Sequence, residues 1–182
     1  MHKPTSPLHP AHPTQGFTLI ELMVTLTLAA ILLAVAIPGF TNQLQGWQRD
    51  SATQAFTSHI RLARTEAIRT SRRVVMCTSA DGSSCAKDTV WQTGWIVFVD
   101  VDGNDALNTG DHVLATRGVS SGLRSMQTNG NVQRLVFMPN GLMASNATTL
   151  EVIPTGSAVR TNEVTVNRVG RAYVTSADQK KT

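Results

Sequence analysis

Gly16-Phe17-Thr18-Leu19-Ile20-Glu21, followed by the apolar run Leu22 to Ile37, decides how the chain is organised. From Leu22 to Gln48 there is no Asp, Glu, Lys or Arg, and Phe17 to Ile37 is long enough as a helix to cross a bilayer core of about 30 Å. Glu21 is the exception, an acid four residues into the apolar run, where burying an unpaired carboxylate is expensive and calls for a dedicated partner. A cut between Gly16 and Phe17 would supply one. The new α-amino group would sit one helical turn from Glu21, and a neighbouring copy could offer its own amine, so that opposite charges neutralise each other inside an apolar bundle.

Ahead of this stretch, Met1 to Gln15 is rich in Pro and His, with Lys3 as its one fully ionised side chain. It is a poor helix and a weak positive-inside signal. A rival reading takes Ala34-Val35-Ala36 as an ordinary signal-peptidase site that frees a soluble secreted protein. The acid within the apolar core, the nearly uncharged leader and a helical pattern that continues past the cut all oppose it.

Gly16 to Glu21 closely resembles the cleavage and methylation site of type IV pilins and type II secretion pseudopilins. The resemblance implies that a prepilin peptidase cuts after Gly16, that Phe17 becomes the N-methylated N-terminus, and that Glu21 guides assembly. Pro38 matches a proline that commonly kinks or loosens this helix in the family.

Beyond Pro38 the apolar positions Phe40, Leu44, Trp47, Phe56, Ile60, Ala63 and Ala67 follow helical spacing. They predict one face packed on a sheet, with Arg61, Arg64 and Arg69 on a solvated face. After Arg72 and Arg73 the period becomes strand-like. Strands are predicted at Val74 to Thr78, Trp95 to Val101, His112 to Thr116, Arg134 to Met138, Thr149 to Ile153, Thr161 to Val166 and Ala172 to Thr175. Asp81-Gly82, Asp102-Gly103-Asn104, Asn129-Gly130 and Asn140-Gly141 supply turns. The predicted fold class is therefore α+β: a long N-terminal helix, membrane-spanning then amphipathic, packed on an antiparallel β-sheet or small β-sandwich head. The segments are a leader at 1–16, a transmembrane and assembly helix at 17–37, an amphipathic half at 38–72 and the head at 73–182.

Within the head, Ala63-Arg64-Thr65-Glu66-Ala67-Ile68, Val75-Met76-Cys77, Gly82 with Cys85, and Gly94-Trp95-Ile96-Val97-Phe98-Val99-Asp100 carry a narrower resemblance. They are similar to the group that joins the type II secretion minor pseudopilin H with the fimbrial minor pilins T and U. The two cysteines lean toward the fimbrial members. Cys77 and Cys85 flank turn-forming residues, and a local disulfide is the natural reading in an oxidising compartment. Two free thiols in a cytosolic protein are the alternative.

Formal charge is +4, and removal of residues 1 to 16, with one lysine and no acid, leaves +3. Mild basicity permits contact with nucleic acid or anionic lipid without arguing for either. Arg160, Arg168, Arg171, Lys180 and Lys181 concentrate base near the C-terminus. In the fimbrial T group a Gly-Arg motif followed at one remove by a second arginine is linked to DNA capture. Here Gly170-Arg171-Ala172-Tyr173 keeps the first half and places Tyr173, able to stack on a base, where the second arginine would be. The favoured alternative is a basic edge strand that deters aggregation or docks a neighbouring subunit.

Asp100, Asp102, Asn104 and Asp111 have the spacing of a calcium loop, but Asp105 stands where that loop needs glycine and Asp111 where it needs glutamate. A hairpin loop with Asp, Gly and Asn as turn formers explains the run without metal. No nucleophile elbow, zinc-protease motif or phosphate loop is present, and His59 and His112 stand alone, so neither enzyme activity nor a cofactor is expected. The expected protein is a minor pilin, held in the bacterial inner membrane with a periplasmic head and extracellular once built into a filament. Its expected partners are other pilins or pseudopilins, the prepilin peptidase and the inner membrane, with DNA as a further candidate. The alternatives are a type II secretion pseudopilin and a DNA-binding minor pilin.

Overall fold

A computed structural model describes residues 16–177, which form one long helix and eight strands. The chain divides into two compact units between Gly39 and Phe40. Helix α1 spans Leu19–Thr70, starts at a Thr18 cap and is assigned without interruption through Pro38. Thr18 Oγ1 accepts the Glu21 N–H at 3.2 Å, satisfying one of the orphan donors of the first turn.

In the second unit α1 buries Ala52, Phe56, Ile60, Ala63 and Ala67, stepping by four and three residues along one stripe. Three of the predicted core positions fall outside it. Phe40, Leu44 and Trp47 are 67%, 43% and 60% exposed. The head's loops first press closely on α1 at Gln45, whose amide lies where a Cβ on Gly156 would sit, and at Gln48, which meets Gly122 in the same way.

The strands are β1 (Arg73–Thr78), β2 (Trp95–Asp100), β3 (His112–Arg117), β4 (Leu123–Thr128), β5 (Arg134–Phe137), β6 (Thr148–Pro154), β7 (Thr161–Val166) and β8 (Ala172–Ala177). They build two four-stranded antiparallel sheets, ordered β3-β2-β1-β5 and β4-β6-β7-β8. Seven strands match the predicted runs to within a few residues. β4 is additional; its Arg124, Ser125 and Gln127 hide the strand from a hydrophobicity pattern, and Met126 with Thr128 are its buried positions.

Val74, Met76, Val97 and Leu135 of the first sheet share one core with Met126, Leu150, Val152, Val164 and Val166 of the second and with the helix stripe. Phe56 sits edge-on to both Trp91 and Trp95, with ring centroids 5.2 and 5.5 Å away. The first sheet is buried on its other face too, where Val75, Cys77, Ile96, Phe98 and Val136 pack with Cys85 and Leu107. That double burial explains why β1 and β2 read as continuous apolar runs while β6 alternates.

Candidate functional site

The N-terminal unit presents apolar surface on every side. All residues from Gly16 to Ile37 are exposed, including Phe17 at 81%, Leu32 at 71% and Val35 at 76%. A helix apolar all round is stable only where something apolar surrounds it. Its polar atoms are handled locally: Thr25 and Thr27 donate their hydroxyls to Leu22 O and Val24 O at 2.9 and 2.8 Å. Such back-bonding leaves few unsatisfied donors for a hydrocarbon environment. Glu21 is the remaining charge, in the first turn beside Phe17, and Gly16 has open space around its α-carbon. Helix α1 is long and apolar enough to cross a membrane.

In the head, Cys77 and Cys85 form a disulfide, with Cα atoms 5.6 Å apart. It closes the loop that shields the outer face of β1 and β2. Asp81 organises that loop. Its Oδ1 accepts the N–H groups of Ser83 and Ser84 and the Ser79 hydroxyl, and its Oδ2 accepts the Ser84 hydroxyl. These donors, the Ser83 N–H foremost, hold the Asp81 carboxyl well below the usual carboxylate range.

The acidic loop after β2 brings oxygens of Asp100, Asp102 and Asp111 within 4.8 Å of one another. Asp105 takes a left-handed conformation (φ 59), so the turn is made without glycine and that objection to a calcium loop does not hold. The oxygens are nonetheless occupied in holding the turn. Asp100 accepts N–H groups of Gly103, Asn104 and Asp105, and Asp111 accepts those of Val101 and Asn108. Asp102 accepts the side-chain amides of Asn104 and Asn108. Arg73 enters the same loop, pairing with Asp105 and donating to Gly103 O, with Nε 4.0 Å from the fully buried Asp100 carboxylate. A guanidinium thus stands against the buried carboxylate.

Among the described residues, the C-terminal bases do not form one patch. Arg160 precedes β7, whereas Arg168 and Arg171 lie in the turn at its other end, roughly 20 Å along the strand. Lys180 and Lys181 lie outside the described residues. Asn167 to Arg171 form a tight hairpin, in which Asn167 N–H bonds to Arg171 O and Gly170 N–H to Asn167 O. Gly170 (φ +72) is required there, because a Cβ would come 2.7 Å from Gly141 O. The tip is anchored by Met143 N–H on Arg168 O, and beside it Arg64 Nε donates to Gly141 O at 3.1 Å. Arg64 is therefore a docking residue, not part of a free solvated face. Tyr173 is half-exposed on β8, its hydroxyl accepts from Asn167, and the Arg171 guanidinium lies 6.0 Å from its ring centroid.

Among the polar contacts not legible in the sequence is one made by His59. His59 accepts a hydrogen bond from the Trp95 indole at 2.8 Å. Its signal was only the helical spacing that places residue 59 beside the buried Ile60 and Ala63, too weak to pick out a partner on β2. His112 lies exposed at the start of β3.

Comparison with known proteins adds the following. Residues 52–170 match the family described as Type II transport protein GspH, and residues 12–37 match the prokaryotic N-terminal methylation motif. The pilin-like protein PilA1 of Thermus thermophilus is 28% identical over 165 residues, covering 87% of this chain and 96% of that protein. Crystal structures of the type IV minor pilin FimU from Pseudomonas aeruginosa share the fold. One form gives a TM-score of 0.57 at 19% identity, covering 77% of this chain and 98% of the other. A second crystal form gives 0.52 at 20% identity, covering 71% and 98%.

Proposed function

Because the chain belongs to the Type II transport protein GspH family, we propose that this minor pilin or pseudopilin is a structural subunit of a type IV pilus, acting in filament assembly and surface contact. The observation that carries the reading is the first unit of α1, apolar on every side and bearing one acid in its first turn. Before assembly that surface needs lipid; in a filament it needs the helices of neighbouring subunits. The same helix can serve both.

In this reading a prepilin peptidase cuts between Gly16 and Phe17, and Phe17 is N-methylated. The chain waits in the inner membrane with its disulfide-closed head in the periplasm. Glu21 then meets the N-terminal amine of a neighbour, so that each subunit is admitted only where its charge is neutralised. The exposed Phe40, Leu44 and Trp47 offer further apolar surface to neighbouring subunits.

The family match itself favours a second reading, a pseudopilus subunit for type II secretion built from the same parts. Counting surface filaments by electron microscopy in a strain lacking the gene, beside its parent and a complemented strain, separates the two. Filaments that vanish and return support the pilus subunit. Unchanged filaments with impaired export of secreted proteins assign the chain to the secretion machine.

A further inference from the structure

Among the described residues, three of the four sheet edges are protected. Beside β4, Val90 bridges to Gln127 and the Gln92 side chain accepts the Met126 N–H. Along β5, Met143 bridges to Phe137 and Ala144 N–H bonds to Val136 O. β3 carries His112 and Arg117 and is joined to β2 across a register shift at Val97/Phe98. These are the usual ways of keeping an edge from pairing with another chain.

Among the described residues, β8 has none of these protections. Ala172-Tyr173-Val174-Thr175-Ser176-Ala177 contains no charge, proline or bulge and pairs in unbroken register with β7. The bond from Asn167 N–H to Arg171 O makes that pair the hydrogen-bonded kind, so Tyr173 and Thr175 turn their backbone groups toward β7. Ala172, Val174 and Ser176 turn theirs outward, and among the described residues no strand pairs with that side. Val174 stands opposite Val164, which is buried in the core, yet Val174 is 48% exposed. The core is unfinished at this edge.

We propose that β8 is a docking edge that accepts an extended segment of a partner protein as a ninth strand. That segment would set an apolar side chain beside Val174 and acidic side chains beside Arg168 and Arg171. Charge selects this occupant over a second copy. The β8 strand of a second copy carries no acidic side chain to set beside Arg168 and Arg171. Arg168 and Arg171 are exposed and in no ion pair among the described residues. The inference does not depend on which filament the chain serves.

The test is amide hydrogen exchange, read by NMR on the full chain in detergent micelles. Two probe peptides are compared, an alternating Val-Thr peptide with Glu-Glu ends and the same peptide with Lys-Lys ends. The expected result is about tenfold slower exchange at Ala172, Val174 and Ser176 with the Glu-ended peptide only. Val174→Pro, which removes an outward N–H, and Val174→Lys, which charges the edge without altering the backbone, should each abolish it. Tyr173 and Thr175 amides staying protected in both variants shows that the β7 pairing survives. No protection by either peptide, or equal protection by both, overturns the proposal. Protection that rises with protein concentration in the absence of peptide assigns the edge to a second copy and also overturns it. So does a short DNA duplex that shifts the Arg168 and Arg171 amides while neither peptide does.

Discussion

The Trp95 indole N–H donates to Nδ1 of His59 at 2.8 Å, tying α1 to β2 beside the edge-on pair of Phe56 and Trp95. An indole can only donate, so this bond requires an imidazole whose Nδ1 carries no proton. Burial, with the Arg117 guanidinium as a second cause, lowers the His59 pKa below its ordinary value. Below pH about 6.5 the unfolded chain takes up a proton that the folded head resists. Stability is full above that pH and declines as pH falls toward the lowered folded pKa. Urea midpoints at pH 7.5 and 5.5 should differ by more in the natural protein than in His59→Phe; equal differences would refute this.

The disulfide should matter twice, by limiting the unfolded chain and by fastening the cover over Val75, Ile96 and Phe98. Replacing both cysteines by alanine is expected to cost about 2–3 kcal/mol. Denaturation with and without reductant checks it, and the double variant should show no reductant effect.

Asp81→Ala removes the acceptor of two loop N–H groups. Amide exchange at Ser83 and Ser84 should quicken, while the β1 amides stay protected. In the natural protein the same loop loosens as pH falls toward Asp81's depressed pKa, because a protonated carboxyl gives up those bonds.

Gly170→Ala should destabilise the head by more than Gly130→Ala. Both positions have φ near +70°, which costs an alanine about 1–2 kcal/mol. Only at Gly170 does the new Cβ also strike backbone, the carbonyl of Gly141. Thermal melting of the two variants gives the comparison directly.

Phe56→Ala should cost about 3–5 kcal/mol, since it empties the space between two tryptophans. Trp47→Ala, at an exposed position, should stay within about 0.5 kcal/mol in the same denaturation assay. If Trp47 belongs to the assembly surface, this variant should lower the amount of the chain in sheared filaments, as Glu21→Ala should, with both chains still recovered from membranes.

How much of this was legible in the linear chain depends on how local each cause is. A run without charge from Leu22 to Gln48 is a membrane-competent helix whatever surrounds it, and Glu21, immediately before it, stands out as the one acid of the apolar stretch. β1 and β2 announced themselves as apolar runs, and the cysteine pair by the short turn between them. β4 did not, because Arg124, Ser125 and Gln127 break its hydrophobic pattern and only Met126 and Thr128 are buried. Phe40, Leu44 and Trp47 kept the helical period of the core stripe but lie exposed; periodicity reports a face, not what covers it.

The sequence by itself therefore determined the elements: the apolar anchor with its one acid, the amphipathic half of the helix and most strands, all set by neighbours within a few positions, while the pairing of Cys77 with Cys85 was an expectation that the structure bears out. Only the tertiary structure decided which surfaces remain open. It separated Arg160 from Arg168 and Arg171 along the length of β7, turned the acidic loop's oxygens onto its own N–H groups, paired His59 with Trp95 and left β8 uncovered. Each of these depends on strand order and register, which arise from contacts between distant segments and have no local signature.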